Sequence, residues 1–579
     1  LLAGKAKFSS NPWYQEANCM PFPIKQLQCW VVDPLEKMFR TSAPPEKPVR
    51  RMHLEAARGE VVSGQLALRT EGANTGIDTV EIAPLRMVGG EAVISVERRW
   101  VGYTHVPAPA WGVDPERLEG TAPGLYPDPL YPVYETQTHP HHYNPDHSAA
   151  LFDKRTQALW LTARVPFEAP PGEYRGEVKI TLSYYGDVIT VPVKLTVHAA
   201  TLPAEPTCGV ENWFVLASVA RQHEVAWWSE AFWQLTEAYL RNMADHRQTH
   251  TVVPMYELID FHLDPDGALA MGWERFDRYV EMALAAGLRQ LSGNHLATYT
   301  YDNKKFKAGV HTFLVEDGQV RYRLFEGRTK RAQAWLAWFL PRLQAHLAEK
   351  GWLDRWWQHV RDEPLGVEQD YAAIWRAIRQ YAPAFRTIDA LHGPIVKACD
   401  CWVPQLAEWG QFLDFFQARQ QAGDQVWTYV CCGPTGRYAN RFIDQKSVLP
   451  RLIFWIMARY GATGYLHWGY NWADGPVPEI DTTGFLPAQG PVQSGDVCVV
   501  YPGPHGPHDS IRWEQQREGL QDYELLRLLA AEDPKKADAI AVRLVQGFDE
   551  YNIDTTAFRA ARRALLKAVS RLQVLEAIG

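Results

Sequence analysis

No apolar run in these 579 residues approaches the ~20 residues that cross a bilayer, so insertion into a membrane is not expected. There is no surplus of basic charge either. With 59 Lys and Arg against 67 Asp and Glu, the formal net charge is -8, which removes the electrostatic footprint of a nucleic-acid binder. Cysteine is sparse: eight residues in a chain this long make no disulfide framework. The two closest groupings, Cys399-Asp400-Cys401 and Cys431-Cys432, lack the Cys-x-x-Cys spacing of a zinc site and read as buried free thiols. Internal repeats and low-complexity tracts are absent. The opening Leu1-Leu2-Ala3-Gly4 lacks a full signal-peptide pattern, so a soluble protein is expected whose compartment, bacterial cytoplasm or secreted, stays open.

What the chain has in quantity is aromatics: 23 Trp, 25 Tyr and 22 Phe. Large cores account for most of them, and a surplus of Trp also suits sugar binding, because the C–H face of a pyranose packs on an aromatic plane. The length calls for two or three domains.

Residues 1–203 read as a β-sandwich. Apolar or alternating runs at Val61–Leu68, Thr79–Ile82, Ala92–Val96, Ala158–Arg164, Gly176–Tyr184 and Val188–Val197 are separated by turn signals such as Pro170-Pro171-Gly172. The stretch from Pro107 to His147, rich in Pro, Tyr and His, reads as a long loop. After the proline-rich joint Leu202–Pro206, residues 204–509 alternate strands with helical segments. The strand candidates are Gly209–Phe214, Thr249–Met255, Arg289–Asn294, Arg355–Asp362, Ala384–Leu391, Lys397–Val403, Gln425–Cys432 and Gly464–Tyr470. Eight such units fit a (β/α)₈ barrel of the TIM type, with a hairpin insertion near 298–328 turning at Glu316-Asp317-Gly318. Residues 510–579 are helical in pattern and are expected to pack on the barrel. The fold class is therefore multidomain: sandwich, barrel, helical segment.

The segment with most chemistry is Arg361-Asp362-Glu363-Pro364. A strand runs into two carboxylates, and strand C-termini build the active site of a barrel. Paired carboxylates repel, which keeps one protonated near neutrality, and glycosidic cleavage needs such an acid. Adjacent strand residues face opposite ways, so both can serve one site only if the strand end twists or bulges. The alternative is a cap on the following helix. Aromatic strand ends at Trp427, Tyr429, Trp402, Trp468 and Tyr470 read as a stacking wall, with core packing as the alternative for each. Asn294, His295 and Asn471 are candidates to read sugar hydroxyls. His139, His141, His142, Asp146 and His147 have a density that suits a divalent ion, although loop histidines among prolines are more often simply solvated. They stand as weak metal candidates, and no metal or cofactor is assigned.

Asp362-Glu363-Pro364, Tyr429–Pro434, His467–Asn471, Tyr501–Pro504 and the run from Ser510 to Glu524 together resemble the signature blocks of glycoside hydrolase family 123 and its relatives carrying the DUF4091 barrel. The resemblance implies a retaining exo-β-N-acetylgalactosaminidase in which the 2-acetamido oxygen of the sugar attacks the anomeric carbon. Glu363 would be the general acid and then the base. Asp362 would hold the acetamido N–H. By strand-end position, and not from the resemblance, Tyr429 is the candidate to bond the acetamido carbonyl, with Trp427 or Trp468 walling that pocket. The implied partner is a β-GalNAc-containing glycan or glycolipid, with no nucleic acid, and a homo-oligomer is left open. Two alternatives remain: a retaining glycosidase with an enzyme nucleophile such as Asp474 or Glu479, and a carbohydrate-binding protein without turnover. Arg512, Glu514, Asp522 and Glu524 read as a buried polar network rather than as chemistry.

Overall fold

The computed structural model describes residues 27–72, 74–133, 150–182, 188–302, 305–472 and 492–578. The N-terminal region is two packed antiparallel-dominated sheets. One has the strand order Leu27–Val32, Val61–Thr70, Thr156–Arg164, Val96–Val106 and Gly124–Pro132. The other runs Met52–Arg58, Val188–Thr201, Gly172–Leu182, Thr75–Ile82 and Ala150–Leu151, with Met52–Arg58 parallel to its neighbour. Alternation explains the strands. Val191, Val193, Leu195 and Val197 occupy every second position of one strand and meet Leu66, Leu159 and Leu161 of the facing sheet in a shared core. The loop expected from Pro107 to His147 is corrected in part, because Gly124–Pro132 forms a strand against Val96–Val106. Pro127, Pro129 and Pro132 disguise it. They are tolerated because the strand lies at the sheet edge, where missing N–H donors break no ladder.

Beyond residue 204 eight strand positions pair in parallel. We number them β1 (Gly209–Asn212), β2 (His250–Val253), β3 (Gln290–Gly293), β4 (Trp356–Gln358), β5 (Arg386–Leu391), β6 (Cys401–Pro404), β7 (the Gln425–Val426 and Thr428–Tyr429 pairs) and β8 (Gly464–His467). Hydrogen bonds arrange them as a six-stranded sheet from β2 through to the first half of β7, and a three-stranded sheet of β1, β8 and the second half of β7. Helices cover the outside. Ser229 caps Glu230–Asp245 through the Phe232 N–H, and Thr329 caps Lys330–Glu349 through the Ala332 N–H. Between β5 and β6 no helix intervenes.

The insertion after β3 is larger than a hairpin: Ala297–Asp302, Lys305–Glu316 and Gln319–Glu326 make a three-stranded antiparallel sheet. Its second turn has Asp317 at φ 50° and Gly318 at φ 69°, the left-handed pair that a two-residue hairpin loop needs.

The C-terminal helix Ile511–Glu532 is buried on nearly every side. A helix so placed ought to be apolar, and this one is not. Arg512 meets Asp128 of the first region at 2.9 Å, Glu514 meets Arg99 at 2.8 Å, and Asp522 meets Arg451 at 2.7 Å and Arg562 at 3.0 Å. The helix thus binds the sandwich to the parallel-strand region through matched charges.

Candidate active site

Strand β4 stays in the ladder for three residues only, and a side chain then takes over from the ladder. Asp389 on β5 accepts the N–H groups of Val360 at 3.0 Å and Arg361 at 3.1 Å, and its other oxygen accepts the Tyr371 hydroxyl at 2.9 Å. The chain next turns sharply at Glu363, whose φ is 41°. A non-glycine residue held in this region costs on the order of 1–3 kcal/mol and persists only where its surroundings fix it. Here the Glu363 N–H donates to the Ala390 carbonyl at 3.1 Å, while its own carbonyl accepts the Tyr299 hydroxyl at 2.9 Å and an Arg361 N–H at 3.1 Å. The Arg361 guanidinium lies 3.4 Å from the centre of the Tyr299 ring. This left-handed turn breaks the alternation of the strand and leaves the Asp362 and Glu363 carboxyls near enough for each charge to act on the other.

The two acids have different surroundings. Glu363 accepts a short hydrogen bond from the Tyr429 hydroxyl on one oxygen, and His392 Nε2 lies 3.3 Å from the other. Desolvation pushes its carboxyl up, but the hydrogen bonds from His392 and Tyr429 and the charges of His392 and Arg361 outweigh this and hold it below the ordinary value. Among the described residues Asp362 has no such donors. Burial, and then the Glu363 carboxylate, push it up to about 7. Burial and mutual repulsion thus raise the proton affinity of the pair toward neutrality, more at Asp362 than at Glu363. His392 is in turn raised, first by its hydrogen bond to Glu363.

Beneath the pair lies a fully buried group. Glu211 on β1 accepts from His359 at 2.8 Å, from Trp213 Nε1 at 2.9 Å and from the Ser292 hydroxyl. Burial pushes His359 down, but Glu211 and Asp389 overcome it and raise the ring to about 10. His295, His359 and Asp389 bring three ligand-type atoms within 4.8 Å of one another. His359 Nε2 lies 2.8 Å from Glu211 and its Nδ1 3.7 Å from Asp389, an ion-paired floor under the site.

The other expected residues are scattered. His295 stays at the site, its ring 4.6 Å from His359 and 5.0 Å from Trp213. Asn294 is half-buried and accepts the Met255 N–H at 3.1 Å. Trp468 is half-buried, donates to Asp496 at 3.1 Å and meets Trp472 edge-on at 4.7 Å. Four placements are corrected. Trp402 points outward, donating to Asp424 at 2.8 Å under Arg419. On β6 it is the neighbours Cys401 and Val403 that face the inner cluster with Tyr429 and Leu466. Trp427 is interior but lies at the opposite end of the strands, in space left by Gly209 and Gly464, where an added Cβ would fall 2.1 Å and 2.3 Å from its ring. Tyr470 is buried and donates to Asn242 at 2.9 Å, and Asn471 clamps the backbone of Val215 through both of its amide atoms. Neither faces Glu363. His139, His141, His142 and His147, with Asp146, and likewise Asp474 and Glu479, lie outside the described residues.

Sequence reasoning passed over His392, Asp389, Arg361, His359, Glu211 and Tyr299. The strand-end rule that selected Tyr429 applies equally to His392, one residue past the predicted fifth strand. No sequence signal marks Tyr299.

Residues 213–529 match the family model for the glycoside hydrolase 123 catalytic domain. Among solved structures, a family 123 glycoside hydrolase from Clostridium perfringens, described in terms of glycolipid glycan hydrolysis, aligns with 96% of this chain and 99% of its own, at 13% identity and a TM-score of 0.72. That likeness speaks for the fold. The endo-β-1,4-mannanase of Thermotoga petrophila, at 11% identity over 57% of this chain and 78% of its own, has a TM-score of 0.31 and adds nothing to the argument. No curated protein matches.

Proposed function

Because the chain belongs to glycoside hydrolase family 123, we propose that it is a retaining exo-β-N-acetylgalactosaminidase acting by substrate assistance, with Asp362 and Glu363 as the catalytic pair. The observation that carries this reading is the adjacency of two carboxyls at a left-handed turn, Asp362 raised by burial and by the charge of Glu363. A two-carboxylate mechanism needs its second group on the opposite face of the sugar, about 5 Å away in a retaining enzyme. Of the other described carboxylates nearby, Asp389 is held by two backbone N–H groups and Tyr371, and Glu211 by His359, Trp213 and Ser292, while Asp496 accepts from Trp468 through one oxygen and Glu408 is near enough for its charge to act on His392. Among the described residues the pair therefore favours a nucleophile carried by the substrate.

The raised proton affinity of Asp362 fits this chemistry once the sugar binds. An acetamido N–H donated to Asp362 stabilises its carboxylate and lowers its affinity for the proton. If the Tyr429 hydroxyl transfers from Glu363 to the acetamido carbonyl, Glu363 loses a bond that favours its charge and rises. The proton then belongs on Glu363, which delivers it to the leaving oxygen and later takes one from water. The acetamido oxygen closes on the anomeric carbon as the glycosidic bond breaks. Asp362 then faces the positive charge of the ring so formed. Water opens that ring from the face the leaving group vacated, so configuration is retained.

We read residues 204–509 as one (β/α)₈ barrel, with residues 1–203 as the sandwich unit and 510–579 as the helical unit. What supports closure is the Thr249 N–H donated to the Val210 carbonyl at 3.2 Å, joining β1 to β2, and the Trp427 N–H donated to the Trp402 carbonyl at 2.8 Å, joining β6 to β7. The proposed substrate is a β-GalNAc glycan, including one carried on a glycolipid.

The test is hydrolysis of p-nitrophenyl β-GalNAc beside the β-GlcNAc, β-galactoside and β-glucoside analogues, by the wild type and by Glu363→Gln. Release confined to the GalNAc substrate and abolished in the variant is the expected result. Release from sugars lacking the acetamido group would overturn substrate assistance, and Asp474→Asn and Glu479→Gln would then be the variants to make.

A further inference from the structure

Two thiols stand at the wall of this site with no part in the chemistry above. The segment after Tyr429 runs Cys431-Cys432-Gly433-Pro434. Contrary to the expectation of buried thiols, both cysteines of this pair are only half-buried, whereas Cys208, Cys399, Cys401 and Cys498 are buried and Cys29 stands alone in the sandwich. Among the described residues, then, Cys431 and Cys432 are the one adjacent pair that solvent reaches. Their sulfur atoms are 3.9 Å apart.

The turn that carries them is fixed. The Cys431 N–H donates to the Gly433 carbonyl at 2.7 Å, and the buried Asn440 side chain donates to the Cys431 carbonyl at 2.9 Å. A pair of soft ligands held at short range by rigid backbone loses little freedom on capture, which is the condition for chelation. Either sulfur can donate to the other, and this contact with Cys431 is the main reason that Cys432 is drawn down to about 7. Glu363 and His392 are near enough for their charges to act on Cys432, which sets the pair beside the catalytic acid.

We propose that Cys431 and Cys432 form a dithiol site for a soft, thiophilic centre, of which a trivalent organoarsenical is the model ligand, and that its occupation closes the sugar site. With phenylarsonous acid, the hydrated form of phenylarsine oxide, two As–S bonds form and two As–O bonds break. The two thiol protons leave with the two hydroxyls as water, and arsenic stays trivalent. The closure half of this proposal rests on the site assigned under Proposed function. The binding half does not.

Phenylarsine oxide titrated into the full chain and followed by intact mass provides the test. The expected result is one adduct at one equivalent, removed by dimercaptopropanol and not by the same concentration of a monothiol. Two-point capture should exceed one-point capture by roughly 10²–10⁴ through effective concentration. Cys431→Ser and Cys432→Ser should each abolish the adduct at one equivalent, and Cys399→Ser should leave it intact. Persistence of the adduct in both single variants, or equal reversal by the monothiol, would overturn the dithiol site. On p-nitrophenyl β-GalNAc, hydrolysis should fall at least tenfold with the adduct and return with dimercaptopropanol. Full hydrolysis with the adduct in place would overturn closure. If no substrate is cleaved at all, the function proposed above fails by itself, while the mass measurements still decide the dithiol site.

Discussion

Buried carboxylates gather in two parts of this molecule, and they are treated in opposite ways. On the helix Ile511–Glu532, each acid meets a guanidinium: Glu514 meets Arg99 and Arg517, Glu518 meets Arg451, and Asp522 meets Arg451 and Arg562. Burial pushes Glu514 and Asp522 up, yet the arginines overcome it and hold both below their ordinary values. At the end of β4 the largest charge acting on Asp362 is another carboxyl, Glu363, and with burial it raises Asp362 to about 7. The residue types are the same. What differs is whether the chain supplies a partner of opposite sign, and that separates charge used to join two regions from charge left able to move a proton.

Glu363→Gln is the largest expected effect. A general acid contributes 10² to 10⁴ in rate, so hydrolysis of p-nitrophenyl β-GalNAc should fall about 10³-fold while thermal unfolding stays within a few degrees of wild type. Arg451→Met should give the reverse. Removing the shared partner leaves Glu518 buried without its guanidinium and Asp522 with only Arg562, and breaking such pairs costs about 3–5 kcal/mol. Denaturant unfolding should report that loss, with kcat of the folded fraction within threefold of wild type.

Asp362→Asn sharpens the contrast through pH. A carboxyl whose folded pKa is raised binds its proton more tightly in the folded state. Stability is therefore full below about 4 and is lost as pH climbs toward 7. The Asn variant should escape that loss and unfold later than wild type at pH 8, by at most about 4 kcal/mol, with little difference at pH 4. Its hydrolysis should be severely reduced at every pH. In the wild type, kcat/KM should decline on the alkaline side as the pair deprotonates. A flat profile from pH 6 to pH 9 would break the assignment of a raised proton affinity to the pair.

Tyr429→Phe removes a donor from Glu363 in the free protein and, on the reading above, from the acetamido group in the complex. A loss of about 10- to 100-fold in kcat/KM is expected, and an unchanged rate would remove its role. Trp402→Phe should be the smallest change: about 1 kcal/mol of stability for the lost bond to Asp424, with kinetics unaltered. A kinetic defect there would contradict the outward placement of that ring.

Much of this was legible in the sequence. Strand positions followed from period-two patterning at Val188–Val197, where the strand runs on to Thr201, and from short apolar runs between helical segments at β1 to β8. The edge strand Gly124–Pro132 escaped because its prolines argue against a strand, and only its place in the sheet permits them. The direction of individual side chains was harder to read. Trp402 and Tyr429 both stand near strand ends, but one residue of register sends Trp402 to the helices and Cys401 inward. Asp362-Glu363 was conspicuous because of the strand that precedes it. The left-handed turn at Glu363, however, depends on Ala390, Tyr299 and Arg361, and no local pattern announces partners that distant in the chain. His392 and Glu211 were hidden for the same reason.

Tyr299, which grips the Glu363 carbonyl, comes from the inserted sheet and not from the parallel strands. The insertion is thus not a detachable module of the kind that can be exchanged to alter what a scaffold accepts. An engineer who transplants another loop into its place must also import a hydroxyl at that point, or the graft will slacken the aim of the residue it was meant to serve.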